Sequence, residues 1–262
     1  MDRRDPGAAS AANEVSTGTV DRSGRNRAVL TTAAIGVAGV TAWGVLNWDY
    51  FSRKPHAKSE GWFGKNTDDG GMDKLGHCYG TYVMSHGIAS LYEHWDFERE
   101  EAALYGSLTS FAIMGYMEFG DSFSDYGFSY EDMVFNTIGA LMGYVLYVHP
   151  ELSNKIDLRW QFGLEPKQSD FLTDYSNSRF LLALKLNGFE SMQKSWLRHI
   201  ELQVGYYTEG FDEPAEENRR HPYVGVGFNF TDLLRRHGYG KTSTAFRYIQ
   251  LPYTSANYEF DL

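Results

Sequence analysis

Residues 73 to 147 read DKLGHCYGTYVMSHGIASLYEHWDFEREEAALYGSLTSFAIMGYMEFGDSFSDYGFSYEDMVFNTIGALMGYVLY, and three apolar runs flanked by polar pairs within this stretch decide the fold. The first run opens with Asp73 and His77, four residues apart and so on one helical face. The second closes with Glu118 and Asp121 at i, i+3, and the third opens with Asp132 and Asn136. Short connections favour antiparallel neighbours, so the start of the first helix, the end of the second and the start of the third meet at one end of a bundle. Six polar side chains converge there, with Lys74 beside Asp73 as a basic companion.

Working outward, the runs Leu75 to Tyr92, Ala102 to Met117 and Met133 to Pro150 contain no Asp, Glu, Lys or Arg and lie at the lower edge of a bilayer span. Small residues recur every fourth position, as Gly76 and Gly80, Gly106 and Ser110, and Gly139 and Gly143. Each Gly costs about 1 kcal/mol relative to Ala in an exposed helix, so the spacing predicts helices packed backbone to backbone and associated with a membrane. After Pro150 the period changes to two. Ile156, Leu158, Trp160 and Phe162 alternate with polar residues, and so do the runs 200–206 and 224–230, with 180–186 less clean. Four or five such strands make an antiparallel sheet, too few for a transmembrane barrel from one chain. Turns are expected at Asn187-Gly188 and in an acidic loop from Glu209 to Pro222, then a capped helix at 231–237 and a tail from Tyr239 that adds an edge strand.

Upstream, Ala28 to Trp48 is a run of uncharged residues long enough for one membrane span, preferred here as a signal anchor over a cleaved signal. Residues 1–27 are polar, lack an apolar period and read as disordered. The expected class is therefore α+β: disordered 1–27, an anchor helix at 28–48, a linker at 49–72, a bundle of three further helices at 73–150, and an antiparallel β region of four to five strands at 151–262. A net charge of −10 without clustered Lys and Arg argues against nucleic acid as partner. The single cysteine, Cys78, rules out an internal disulfide framework and Cys-rich zinc modules. It neighbours His77 in sequence and so faces elsewhere on the helix. With Gly-x-Ser-x-Gly, P-loop and dinucleotide motifs also missing, acyl-enzyme chemistry is disfavoured.

The polar residues have structural rivals. Asp73 follows a Gly-Gly pair and fits an N-cap as well as a ligand, and Ser129 with Asp132 resembles a capping box. His77 sits one turn into an apolar helix beside Asp73, where a carboxylate orients an imidazole. Glu118 and Asp121 lie at a helix C-terminus, where the macrodipole disfavours negative charge, so a metal, Lys74 or a cationic ligand is needed to explain them. Asp73, His77, Glu118 and Asp121 are the metal-ligand candidates, and their oxygen-rich set with one His suits Mg, Mn or Ca better than a soft metal.

The order Asp73-Lys74-x-x-His77, Glu118-x-x-Asp121, Asp132, then Asn136-x-x-Gly139-Ala140-x-x-Gly143-Tyr144 resembles the YfiM-like family of predicted periplasmic lipoproteins, a domain of unknown function. It is more distantly similar to VanZ-like membrane proteins. The likeness covers about residues 70–148, and the strand-rich region from about 171 resembles the C-terminal extension of longer YfiM-like members. Two positions depart from the pattern: no lipobox cysteine follows the N-terminal apolar segment, and Met117 precedes Glu118 where some members have Lys. The resemblance implies a helical domain in the cell envelope and supplies no activity.

The expected function is that of a non-enzymatic bacterial envelope protein, anchored in the inner membrane with periplasmic domains, that binds membrane lipid or another envelope component. An exported protein associated with the outer membrane is the alternative location. The alternative activity is a metal-assisted enzyme or carrier acting on a phospholipid or polyprenyl phosphate, with a divalent ion held at the pole.

Overall fold

The uncharged run after Arg27 forms most of one long helix, α1 (Arg22–Asn47), in the computed structural model, which describes residues 22–164, 170–211, 217–260 and 262. Among the described residues this is the one helix long and apolar enough to cross a membrane. It begins earlier than 28, in the Arg-containing flank; the rest of the segment expected to be disordered, residues 1–21, lies outside the described residues. The chain from 49 to 71 is irregular but anchored. His56 N–H donates to Ser122 O (2.9 Å), and Lys58 N–H and Phe128 N–H exchange bonds with Phe128 O and His56 O (3.0 Å each).

Gly71, at a left-handed φ of 90° that suits glycine, starts α2 (Met72–His94). Then come α3 (Arg99–Asp121), α4 (Tyr130–Val148) and the single turn α5 (Pro150–Ser153). α2 is the central helix, packed by both α3 and α4. The glycine spacing acts where helices cross: a Cβ on Gly106 would stand 2.7 Å from Ala89 N, and one on Gly139 would stand 2.3 Å from Cys78 O. α1 lies against α3 along its whole length. Arg25 pairs with Glu101 at one end, Thr41 Oγ1 meets the Tyr116 hydroxyl at 2.9 Å, and the Tyr50 ring fills the space beside Gly44 and Gly120 at the other. The order of these contacts makes the two helices parallel.

The C-terminal region is a five-stranded antiparallel meander, β1 (Ile156–Phe162), β2 (Ser178–Lys185), β3 (Ile200–Glu209) and β4 (Arg219–Phe228), with β5 following α6 (Phe230–Arg236) and α7 (Gly240–Ala245) as the edge strand (Ser255–Glu259). Asn229 caps α6 by accepting from Asp232 N–H at 3.2 Å. The acidic loop is shorter than expected. β3 runs to Glu209, β4 starts at Arg219 and Pro222 is paired opposite Tyr206, so only 210–218 connect them, with 212–216 outside the described residues.

The sheet curls until its ends meet. β1's free edge bonds the segment leading to β5, with Trp160 N–H donating to Tyr248 O (2.9 Å) and Gln250 N–H to Trp160 O (3.0 Å). Arg179 of β2 reaches Glu259 of β5 at 3.3 Å. The charged residues turn inward beside a buried cluster of Leu181, Ala183, Tyr207 and Tyr223: Arg159 binds Glu201 (2.7 Å) and Asp157 (3.0 Å), Lys185 binds Asp157 (2.7 Å), and all four are buried. Charges taken from water need such pairing. The apolar faces turn outward, partly covered by α2 and α4 through Tyr79, Tyr82 and Leu146 against Leu158 and Phe180, and elsewhere bare.

Candidate functional site

The α3 terminus, the start of α2 and the start of α4 meet at one pole of the bundle, where Asp73, His77, Glu118, Asp121 and Asp132 line a single cavity of about 410 Å³. The seven residues singled out by sequence are therefore neighbours, although Lys74 and Asn136 touch the site through partners rather than by lining the cavity. An eighth, Glu60, comes from the irregular segment after α1 and lines the same cavity. Its position gave no periodic signal; the backbone ladder between 56–58 and 122–128 brings it in, together with the Ser59 hydroxyl and Gly61 N–H that donate to Glu131 Oε1 (2.6 and 3.2 Å).

Two clusters of ligand-bearing atoms share Asp132: Glu60, Asp73 and Asp132 form one, and His77, Glu118 and Asp132 the other, each with its atoms within 4.8 Å of one another. The first cluster already holds a cation. Lys74, 1% exposed, places Nζ 2.7 Å from Asp73, 3.3 Å from Glu60 and 3.6 Å from Asp132. Burial works against its charge, and Asp73, Asp132 and Glu60 outweigh that cost and hold its pKa above the ordinary value. Asp73 is thus an ion-pair partner. The α2 start has Gly71 as its cap with no side-chain cap bond, and Asp73 does not orient His77.

The second cluster meets the Lys74 ammonium only through the shared Asp132, at 3.6 Å, and has His77 as its own basic group. His77 Nδ1 lies 3.3 Å from Asn136 Oδ1 and 3.3 Å from Glu118 Oε1, while Thr81 donates to the same Asn136 oxygen at 2.9 Å. Ser129 does cap α4, accepting from Asp132 N–H at 3.3 Å. In a reciprocal box the N3 carboxylate would take the Ser129 N–H. Here Glu118 takes it at 3.2 Å, reaching across from α3 and leaving the Asp132 carboxylate free to face the pole. Glu118 Oε1 and Asp132 Oδ1 make ion-pair contacts only, with His77 Nδ1 (3.3 Å) and Lys74 Nζ (3.6 Å), and Asn136 Nδ2 is buried without a hydrogen-bond partner, an arrangement that a bound group would improve.

The carboxylates respond by holding protons. Burial pushes Glu118 up to about 8, with Asp132 and Asp121 adding to the rise and His77 opposing it. Burial likewise lifts Asp121 to about 7 against the pull of His77 and the Tyr50 hydroxyl. Burial, then hydrogen bonding with Asp132 and Asp73, raises Glu60 to about 10, so Glu60 is the protonated member of its cluster at neutral pH. Asp132 moves down instead, since His77, the Glu60 hydrogen bond and Lys74 outweigh its burial.

Away from this acidic end the cavity wall is apolar, with Met84, Met114, Met117, Trp160, Leu172 and Phe180. One end of the cavity can hold a cation and the other hydrocarbon. His86, the other buried histidine of α2, is structural: its ring nitrogens meet the Tyr248 hydroxyl (2.8 Å) and Gly143 O (3.0 Å).

No curated protein and no solved structure matches the chain. Residues 59–148, which run from the segment carrying Glu60 to the end of α4 and contain the whole pole, match the model of a family described as predicted periplasmic lipoprotein (DUF2279), and with the apolar α1 this likeness points to an anchored protein of the cell envelope.

Proposed function

We propose that the chain is an envelope protein that binds an amphiphile with a phosphate headgroup, gripping the headgroup through a divalent cation held by His77, Glu118 and Asp132. The observation that carries this reading is the gathering of Glu60, Asp73, Glu118, Asp121 and Asp132 at one end of an apolar-walled cavity, where the described basic partners are Lys74 and His77. Lys74 serves the neighbouring cluster and reaches only Asp132 of the second, so Glu118, which holds its proton at neutral pH, is the group that a bound ion would deprotonate. One imidazole with two carboxylates suits Mn, Mg or Zn, and such an ion, replacing the protons of the raised carboxyls, supplies the positive charge that a phosphate needs. The likeness of residues 70–148 to YfiM-like proteins, and more distantly to VanZ-like ones, supports the envelope setting.

Elemental analysis and native mass spectrometry of protein purified without chelator test this reading. The expected result is one divalent ion per chain and a co-purifying phospholipid or polyprenyl phosphate, both lost from Glu118→Gln. Metal-free protein that is not stabilised by added Mg, Mn or Zn would overturn it.

A second reading, in which the bound headgroup is hydrolysed or transferred, rests on Asp121, whose carboxyl near 7 suits a general base. Turnover of the co-purified lipid by the metal-loaded protein, absent in Asp121→Asn, distinguishes transformation from binding alone.

A further inference from the structure

Three features on different elements share one geometry. α1 is a membrane-span helix with 6% of its apolar window buried, and it runs parallel to α3 from Arg25–Glu101 to Tyr50 beside Gly120. Whatever depth α1 occupies, α3 occupies too. The segments 75–92, 102–117 and 133–149 contain no Asp, Glu, Lys or Arg, and at 1.5 Å per residue each gives a band of about 24–27 Å, close to the roughly 30 Å of a hydrocarbon core. Ser85, Thr109 and Ser110 point inward and are buried, which lowers the mean apolarity of the helices without wetting their outer faces, while Ser90 and Thr137 are exposed. What they show outward is Leu104 and Leu108 on α3 and Val134, Ile138, Leu141 and Val145 on α4, the last four one stripe at helical spacing.

The sheet repeats the pattern independently. β1 runs back along α2, with Leu158 near Tyr82 and Trp160 near Tyr79, so the sheet stands beside the bundle rather than beyond it. Its charged residues are inside with Leu181, Ala183, Tyr207 and Tyr223, and the outer row Leu182, Val204 and Val224 is 45–61% exposed with Leu202 and Val226 alongside. In water the opposite orientation would be favoured, since about 25 cal/mol is lost for each Å² of apolar surface left wet. Closure of the strand edges and inward burial of charge are what a hydrocarbon solvent demands. Exposed Trp95 and Trp196 lie at the end away from the pole, and Trp62 and Tyr126 at the pole end, at levels where aromatic side chains meet both interfaces.

We infer that α1 through α4 and the outer face of β2–β4 are immersed together in lipid, making one intramembrane body whose acidic pole lies at an interface. The apolar surface is continuous with that of α1, and its occupant is the acyl chains of the bilayer.

Site-directed nitroxide labelling of the full chain tests this. Leu108→Cys, Leu141→Cys and Val204→Cys, each with Cys78→Ala, are reconstituted in phosphatidylcholine/phosphatidylglycerol vesicles, with Asp125→Cys and Glu151→Cys as end controls. All five target positions are exposed, so labelling does not disturb packing. The three apolar positions are expected to show a several-fold higher ratio of oxygen to nickel-chelate relaxation than the controls. In vesicles freeze–thawed with the reagent so that both faces are reached, the three free thiols should resist a membrane-impermeant maleimide that modifies the controls. Control-like relaxation or control-like maleimide reactivity at Leu108 or Leu141 would place the bundle in water, and the same result at Val204 alone would place the sheet in water; either overturns the inference.

Discussion

Asp132 stands between two neighbourhoods, one carboxylate oxygen 3.6 Å from the Lys74 ammonium and an oxygen within 4.8 Å of a ligand atom of His77 and of Glu118. It can do so because Glu118 has taken over the Ser129 N–H that Asp132 would otherwise accept. Glu118 therefore couples α3 to the α4 cap and to His77 at once. Glu118→Gln and His77→Ala should each destabilise the metal-loaded protein, and the double variant should cost less than their sum by about 0.5–3 kcal/mol in a denaturant-unfolding cycle. Additivity within about 0.5 kcal/mol would separate the two side chains. The convergence of Asp73, His77, Glu118, Asp121, Asp132 and Asn136 was legible because it needs only helix period and antiparallel connection. Two things were not. Glu60 sits in a segment with no period to read, and the division of labour between Lys74 and the His77 cluster depends on distances near 3 Å that spacing cannot resolve.

Among the elements, α2 owes its central place to what its neighbours lack. Gly139 lets α4 approach until its own Cα hydrogens face Cys78 O, whereas a Cβ added to Gly87 on α2 would meet nothing within 4 Å. Gly139→Ala should cost about 1–3 kcal/mol by overpacking against backbone, while Gly87→Ala should be neutral or stabilise by up to about 1 kcal/mol. Thermal melts of the two variants check the contrast, and equal effects would refute the close approach. The four-residue glycine spacing made this packing legible in advance. The strands were legible in the same way, five against an expected four to five. Their sidedness was not: a period of two separates Leu202 and Val204 from Glu201 and Gln203 but leaves open which set faces in. That choice is made by the long-range closure of β1 on residues 248–250 and by the solvent outside.

For the molecule as a whole, the raised carboxyls tie stability to pH. Glu118 near 8 and Asp121 near 7 lie above their ordinary values of 4.5 and 3.8, so the folded state binds protons more tightly than the unfolded one. The stability this adds is complete below about pH 4 and is lost as pH rises through 7 and 8. Chelated protein should accordingly show a melting temperature that falls between about pH 5 and 9. Saturating divalent ion should remove most of the fall by taking the place of the protons, with proton release measurable by calorimetry in buffers of different ionisation enthalpy. A flat profile in chelator would contradict the assigned carboxyl shifts. The closing contact of the sheet has a consequence for how the chain is made. Trp160 emerges from the ribosome well before Tyr248 and Gln250, its partners on the other side, and at roughly 5–20 residues per second the wait lasts several seconds. Through that interval β1 offers an unpaired strand edge to any neighbouring chain. Synthesis halted short of Tyr248 would leave that edge open permanently, so the segment from Tyr248 to Gln250 decides whether the nascent protein seals itself or recruits another copy.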